Sequence, residues 1–181
     1  MNSSRVDTVW QPHPVCTDAR LRRWLLDRGS LTRRIQLRCE RFRIEVLSQG
    51  LATAGCDERA IIGVRCGAQC VVREVSLNCG PQPVVFAHSA VERHALRGPW
   101  HMLMTLGTRP LGAALFDDPR VERFPLHFRQ LDRHHPLYRR ASDLLERPPA
   151  SLWARRSLFV SRRSRLLVTE VFLPAILALA S

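Results

Sequence analysis

The sequence predicts an α+β domain, a single antiparallel β-sheet with helices packed on it. Three observations predict this class. Segments with period-two alternation come as neighbouring hairpins, 71–77 with 84–88 and 152–160 with 166–174, instead of alternating with crossover helices. Helix-period segments are confined to 19–38 and 108–116. The composition, 45% hydrophobic and 24% charged over 181 residues, is that of an ordinary globular chain. A chain of this size buries roughly 70% of its unfolded surface around one core. One domain over 1–181 is expected, with 1–17 as a loosely ordered N-terminal arm.

Asp18 can cap a first helix over 19–28, whose Leu21, Trp24 and Leu25 recur at three- and four-residue spacing before Gly29 ends it. Ser30 caps a second helix over 31–38, with Leu31, Ile35 and Cys39 every four residues, completing a helical hairpin. From residue 42 the period becomes two, with Phe42, Ile44 and Val46 on one face and Arg43, Glu45 and Leu47 on the other. The stretch 51–69, punctuated by Gly55, Gly63 and Gly67, is turn-prone, with a short strand expected over 61–64. Strands 71–77 and 84–88 are joined by the turn residues Asn-Cys-Gly-Pro-Gln-Pro at 78–83. A helical or irregular stretch from Ser89 to Trp100 leads to Thr108, placed to cap a short helix with Pro110 in its first turn and Leu111, Ala114 and Leu115 as its apolar positions. The polar, basic stretch 117–149 receives no element, and strand 152–160, a basic turn at 161–164 and strand 166–174 close the sheet.

A net charge of +12 raises nucleic-acid binding as a function. Every one of the 28 basic residues is Arg, however, and they are spread from Arg5 to Arg165 among carboxylates, so no nucleic-acid partner is expected. The charge does favour a small dianion as ligand. The six cysteines contain no Cys-x-x-Cys, and the N-terminus shows no basic-then-apolar signal pattern, so reduced thiols and a cytosolic location are expected. The apolar run from Leu166 is broken by Thr169, Glu170 and Pro174 and reaches about 15 residues, short of the roughly 20 that cross a bilayer. Adjacent His134 and His135, with Asp132 nearby, do not put two ligands on one face, so no metal site is expected. There is no internal repeat, glycine-rich phosphate loop, Gly-x-Ser-x-Gly elbow or His-Glu-x-x-His helix.

Two charges break otherwise apolar strand faces. Glu170 shares its face with Leu166, Val168 and Phe172, and both faces of that strand are largely apolar. A carboxylate there must be protonated, paired or aimed into a cavity. Arg73 shares a face with Val71, Val75 and Leu77 and offers a bidentate fork for a carboxylate. A direct salt bridge between the two is the competing arrangement. As ligand contacts, they should instead face one cavity, separated by the width of a benzene ring. Together they suit a small aromatic or alicyclic acid, Arg73 at its carboxylate and Glu170 at a hydroxyl.

Five separated segments then carry a resemblance: Trp24-Leu-Leu-Asp-Arg-Gly-Ser-Leu-Thr-Arg-Arg34, Val72-Arg-Glu-Val75, Arg109-Pro-Leu-Gly-Ala-Ala-Leu-Phe116, Leu152-Trp-Ala-Arg-Arg-Ser157 and Leu167-Val-Thr-Glu-Val-Phe-Leu-Pro174. In this order they resemble the bacterial chorismate pyruvate-lyases, which make 4-hydroxybenzoate for ubiquinone. The resemblance implies a lyase converting chorismate to 4-hydroxybenzoate and pyruvate; no cofactor is expected, and a monomer is the expected state. It implies that Arg73 binds the ring carboxylate and Glu170 the para-hydroxyl, with Leu31 and Leu111 bordering the ligand through main-chain amides. Two helical flaps, at 19–38 and 102–116, are implied to cover a buried ligand site. Relatives often carry Met at position 31, and Leu31 is of similar volume. A second cation should meet the pyruvyl carboxylate. Arg155 or Arg156 is the candidate, since only one of two strand neighbours can point inward. The alternative is a non-catalytic effector-binding domain, a fold that some transcription regulators share.

Overall fold

The computed structural model describes residues 9–179. Helices α1 (Ala19–Leu25) and α2 (Leu31–Gln36) are followed by β1 (Phe42–Thr53), α3 (Arg59–Ile62), β2 (Gln69–Cys79) and β3 (Gln82–Glu92). Two 3-10 turns, Arg93–Arg97 and His101–Met104, lead to α4 (Leu111–Asp117), β4 (Glu122–Arg123), β5 (His127–Asp132) and α5 (Pro136–Ser142). Strands β6 (Ser151–Ser161) and β7 (Ser164–Phe172) and a 3-10 stretch, Pro174–Leu179, complete it. The strands form one antiparallel sheet in the order β1-β2-β3-β7-β6-β4, with β5 paired to β6 along the same edge as β4. This is the expected α+β architecture. Among the described residues no helix is long and apolar enough to cross a membrane.

Local chemistry sets the helix starts as anticipated. The Asp18 carboxylate accepts from the amides of Arg20 and Leu21, and the Ser30 hydroxyl from that of Arg33. Four expectations need correction. Strand β1 runs to Thr53, well past the alternating stretch, because its edge position tolerates polar residues on both faces. Residues 61–64 are not a strand: Ile61 and Ile62 belong to α3, which Gly63 terminates at φ 80°. Pro110 precedes α4 instead of lying in its first turn, and no Thr108 side chain caps that helix. The stretch 117–149 holds β4, β5 and α5, the last capped by the His135 ring, which accepts from the Leu137 amide. Of the expected loose arm, residues 1–8 lie outside the described residues; the remainder is anchored, with Trp10 buried and Gln11 bridged to Phe128.

A further correction concerns the thiols. Cys39 and Cys79 form a disulfide, with Cα atoms 5.7 Å apart, while Cys16, Cys56, Cys66 and Cys70 are free. The register places them together: Phe42 pairs with Cys79, so the chain leaving α2 passes beside the end of β2. Close sequence spacing does not reveal a pair brought together by strand pairing.

Each sheet face carries two apolar clusters with a polar band between them. On one face, Leu25, Leu31 and Ile35 pack with Leu77, Val85 and Phe172 at one end, and Trp100, Leu103 and Leu115 pack with Val91, Phe159 and Leu166 at the other. On the opposite face, Leu137, Tyr138 and Ala141 of α5 cover Phe86, Ala154 and Val171, while Ile62 of α3 covers Val72, Ala90 and Leu167. The band on this second face holds an ionic cluster. His88, 3% exposed, has Nδ1 2.9 Å from Glu74 and Nε2 3.1 Å from Glu58, and Arg140 also bonds Glu74. Burial alone would push the His88 pKa down, but the two carboxylates outweigh it and raise it to about 9.

Candidate functional site

The band on the first face is the floor of a pocket. Cross-strand partners share a face, so the register sets two rows: Arg73, Ser89, Val168 and Ser157, and then Val75, Ala87, Glu170 and Arg155. All eight line the pocket. Its roof comes from Leu31 and Thr32 of α2 and from Leu111, Gly112, Leu115 and Phe116 of α4, with Arg123 and Phe159 at one side. These are the two helical segments expected as flaps. Their contact is tight, since a Cβ on Gly112 would lie 2.9 Å from the Ser30 hydroxyl that caps α2. Gly112→Ala must therefore rotate that hydroxyl away from its cap or lift α4. A loss of about 1 kcal/mol is expected in thermal unfolding.

Arg73 is 4% exposed, and burial lowers its pKa. Its Nη1 donates to Gln49 Oε1 at 2.8 Å and its Nη2 to the Gly107 carbonyl at 2.6 Å. Both acceptors are neutral, and among the described residues no carboxylate pairs with this guanidinium. Gln49 in turn donates to the Leu103 carbonyl at 3.3 Å, so the 3-10 segment before α4 is tied to the same cation.

Glu170 accepts from Arg155 Nε at 2.5 Å, while its side chain keeps 20% exposure toward the pocket. The Arg73–Glu170 salt bridge is not the arrangement adopted; each has a different partner. Arg155 is 1% exposed, and its Nη1 donates to the carbonyls of Trp24, Leu25 and Asp27 at 3.0, 3.2 and 2.6 Å. One guanidinium thus orients Glu170 and fastens the C-terminal end of α1 to the site. Arg156 points to the opposite face, stacking 4.3 Å over the Trp10 ring and bonding Asp57 at 3.4 Å, so it does not line the pocket. Of the two candidates for a second carboxylate, only Arg155 points inward.

Arg123 escaped sequence reasoning. It occupies a two-residue strand, too short to show periodicity. Its Nε donates to Ser157 Oγ at 3.1 Å, Nη1 donates to the Arg28 carbonyl, and the guanidinium stacks 5.0 Å over Phe116 and 5.6 Å over Phe159. Burial lowers its pKa, and the Arg155 charge adds to that.

A pocket under two helical segments on an antiparallel sheet, with one buried cation lacking a carboxylate and an ion-paired carboxylate across the floor, has the chemistry that suits a small anionic molecule. Solved structures share the fold: the PhnF C-terminal domain (TM-score 0.57, 12% identity, covering 71% of this chain and 80% of that one) and a GntR-family transcriptional regulator from Bacillus cereus (TM-score 0.53, 9% identity, 74% and 92%). The sequence narrows the class. Residues 6–180 match the family model described as chorismate lyase, and the chain belongs to that family. It is 52% identical over 168 residues to the probable chorismate pyruvate-lyase of Nitrosomonas europaea, covering 93% of this chain and 94% of the relative. Its identity to the protein of the same name from Nitrosospira multiformis is 49% over 181 residues, covering 99% and 100%.

Proposed function

We propose that this chain is a chorismate pyruvate-lyase producing 4-hydroxybenzoate and pyruvate, the first committed step of ubiquinone biosynthesis. The observation that carries the reading is the buried Arg73, without a carboxylate partner among the described residues, facing the same pocket as Glu170. The two lie two strands apart and two residues along the sheet, about 12 Å between Cα atoms by ideal spacing, which leaves room for one six-membered ring between their side chains. Arg73 receives the ring carboxylate at C1. Glu170 accepts a hydrogen bond from the C4 hydroxyl. Leu31 and Leu111 open α2 and α4, whose first-turn amides lack intrahelical partners and supply further donors.

The reaction breaks the C3–O bond and removes the C4 hydrogen, so the ring becomes aromatic and the departing enolpyruvate gains a proton to give pyruvate. Aromatisation supplies the driving force. The protein positions the ring, stabilises charge on the departing oxygen and offers Glu170 as acceptor for the C4 proton. Purified protein incubated with chorismate and a chelator is expected to release 4-hydroxybenzoate and pyruvate in equal amounts. Binding of 4-hydroxybenzoate without any turnover would instead favour a non-catalytic sensing domain. Glu170→Gln is expected to lower kcat about a hundredfold, and an unchanged kcat would remove proton transfer from its role.

A further inference from the structure

Chorismate carries a second carboxylate, on the enolpyruvyl arm at C3, and 4-hydroxybenzoate does not. Resting on the assignment of chorismate as substrate, we propose that Arg123 binds this second carboxylate, holding the arm in the substrate complex and the leaving group as it departs.

The sheet register fixes which side of the ring the arm can occupy. With C1 at Arg73 and C4 at Glu170, C3 lies beside Glu170, and its arm projects to one of two sides. One side is walled by Ile44, Val75 and Leu77, all apolar. An unpaired carboxylate cannot be buried there without a large desolvation cost. The other side is formed by Ser157, Phe159, Phe116 and Arg123.

The remaining cations on the pocket wall are committed elsewhere. Arg155 gives Nε to Glu170 and Nη1 to three carbonyls of α1 and its following turn. Arg109 is exposed at the mouth and folds back on the carbonyls of Leu106 and Thr105. Arg123 is half-buried where Arg109 is exposed and, unlike Arg155, is held only by neutral groups: the Ser157 hydroxyl, the Arg28 carbonyl and two aromatic faces. Among the described residues it has no ion pair. These contacts fix the guanidinium plane while leaving its charge unneutralised beside the pocket, the preorganised state that favours a carboxylate. The enolpyruvyl oxygen that takes up charge on C3–O cleavage is joined through one carbon to this carboxylate, so a cation there also faces the developing charge.

The test separates substrate from product. Arg123→Gln is expected to reduce kcat/KM for chorismate on the order of a hundredfold while changing the Kd for 4-hydroxybenzoate by less than about twofold. Arg123→Lys, which keeps charge but not the fork, should fall between wild type and Arg123→Gln in kcat/KM at unchanged product affinity. A merely structural role would weaken both ligands together, and that outcome overturns the proposal, as does an unchanged kcat/KM. Retained product affinity reports an intact site; should Arg123→Gln fail to fold, Arg123→Lys carries the same comparison. Wild-type protein that binds 4-hydroxybenzoate but does not consume chorismate would instead remove the lyase assignment on which the proposal stands.

Discussion

Arg73→Ala is expected to lower kcat/KM for chorismate on the order of a thousandfold, and to weaken 4-hydroxybenzoate binding by a similar factor, since both molecules carry the ring carboxylate. The size follows from burial. The carboxylate would enter a pocket whose floor is closed by sheet and whose roof is closed by α2 and α4, so without Arg73 it is desolvated with no compensating charge. Arg73 also has a structural duty, because its hydrogen bonds to Gln49 and Gly107 join β1 to the segment before α4. Arg73→Lys separates the two roles: it retains a positive charge but cannot hold both acceptors and the carboxylate fork. Steady-state kinetics beside equilibrium titration with product reads both effects, and an Arg73→Ala enzyme with full turnover would refute the carboxylate-binding role.

The second large effect concerns stability and lies on the other face of the sheet. His88→Gln leaves Glu58 and Glu74 facing each other across a buried gap, with Arg140 reaching only Glu74. Removing one member of such a buried ionic group costs about 3–5 kcal/mol, a substantial part of the roughly 5–15 kcal/mol that holds a domain folded. The pH dependence has a definite sign. Because the folded pKa of His88 is raised from 6.5 to about 9, its contribution is complete below pH 6.5 and is lost as the pH rises through 9. Burial tends to raise the Glu74 pKa, but His88 and Arg140 bring it to about 2, so that contribution is complete above pH 4.5 and is lost as the pH falls through 2. The network is therefore strongest between pH 4.5 and 6.5. Wild-type Tm should decline between pH 6.5 and 9 more steeply than that of His88→Gln. Parallel Tm curves would show that His88 is not held as an imidazolium.

Which parts of this were legible in the sequence follows from the range of each signal. Asp18 and Ser30 announce their helices because capping is settled within three residues, and the hairpin strands announce themselves because alternation over seven or more residues is hard to mistake. Arg73 and Glu170 stood out as charges on apolar faces, a contrast that each strand carries alone. Residues whose role depends on register were not legible. Nothing local distinguishes Arg155 from Arg156; the pairing of Arg155 with Glu170 sends one inward and the other toward Asp57. Cys39 and Cys79 belong to the same class, joined by the pairing of β1 with β2. Arg123 and β5 were lost in a stretch whose polarity resembles a loop, because a strand at a sheet edge needs little apolar character. The isoleucines at 61 and 62 misled in the opposite direction, their β-branched side chains serving one face of a single helical turn.

The seam between β3 and β7 has a consequence for how the chain acquires its activity. Strands β2 with β3 and β6 with β7 close as local hairpins, but the seam joins Val85 to Phe172 and Val91 to Leu166, across the whole stretch of chain that separates the two hairpins. Loop-closure entropy makes such a pairing late and slow relative to the hairpins themselves. Arg73 and Ser89 stand on one side of the seam, with Val168, Glu170 and Arg155 on the other. Neither half of the chain holds a site, and a refolding molecule becomes competent only when its two halves zip together. A ligand that touches both halves binds only the zipped form, and so acts as a clasp on the least local junction of the fold.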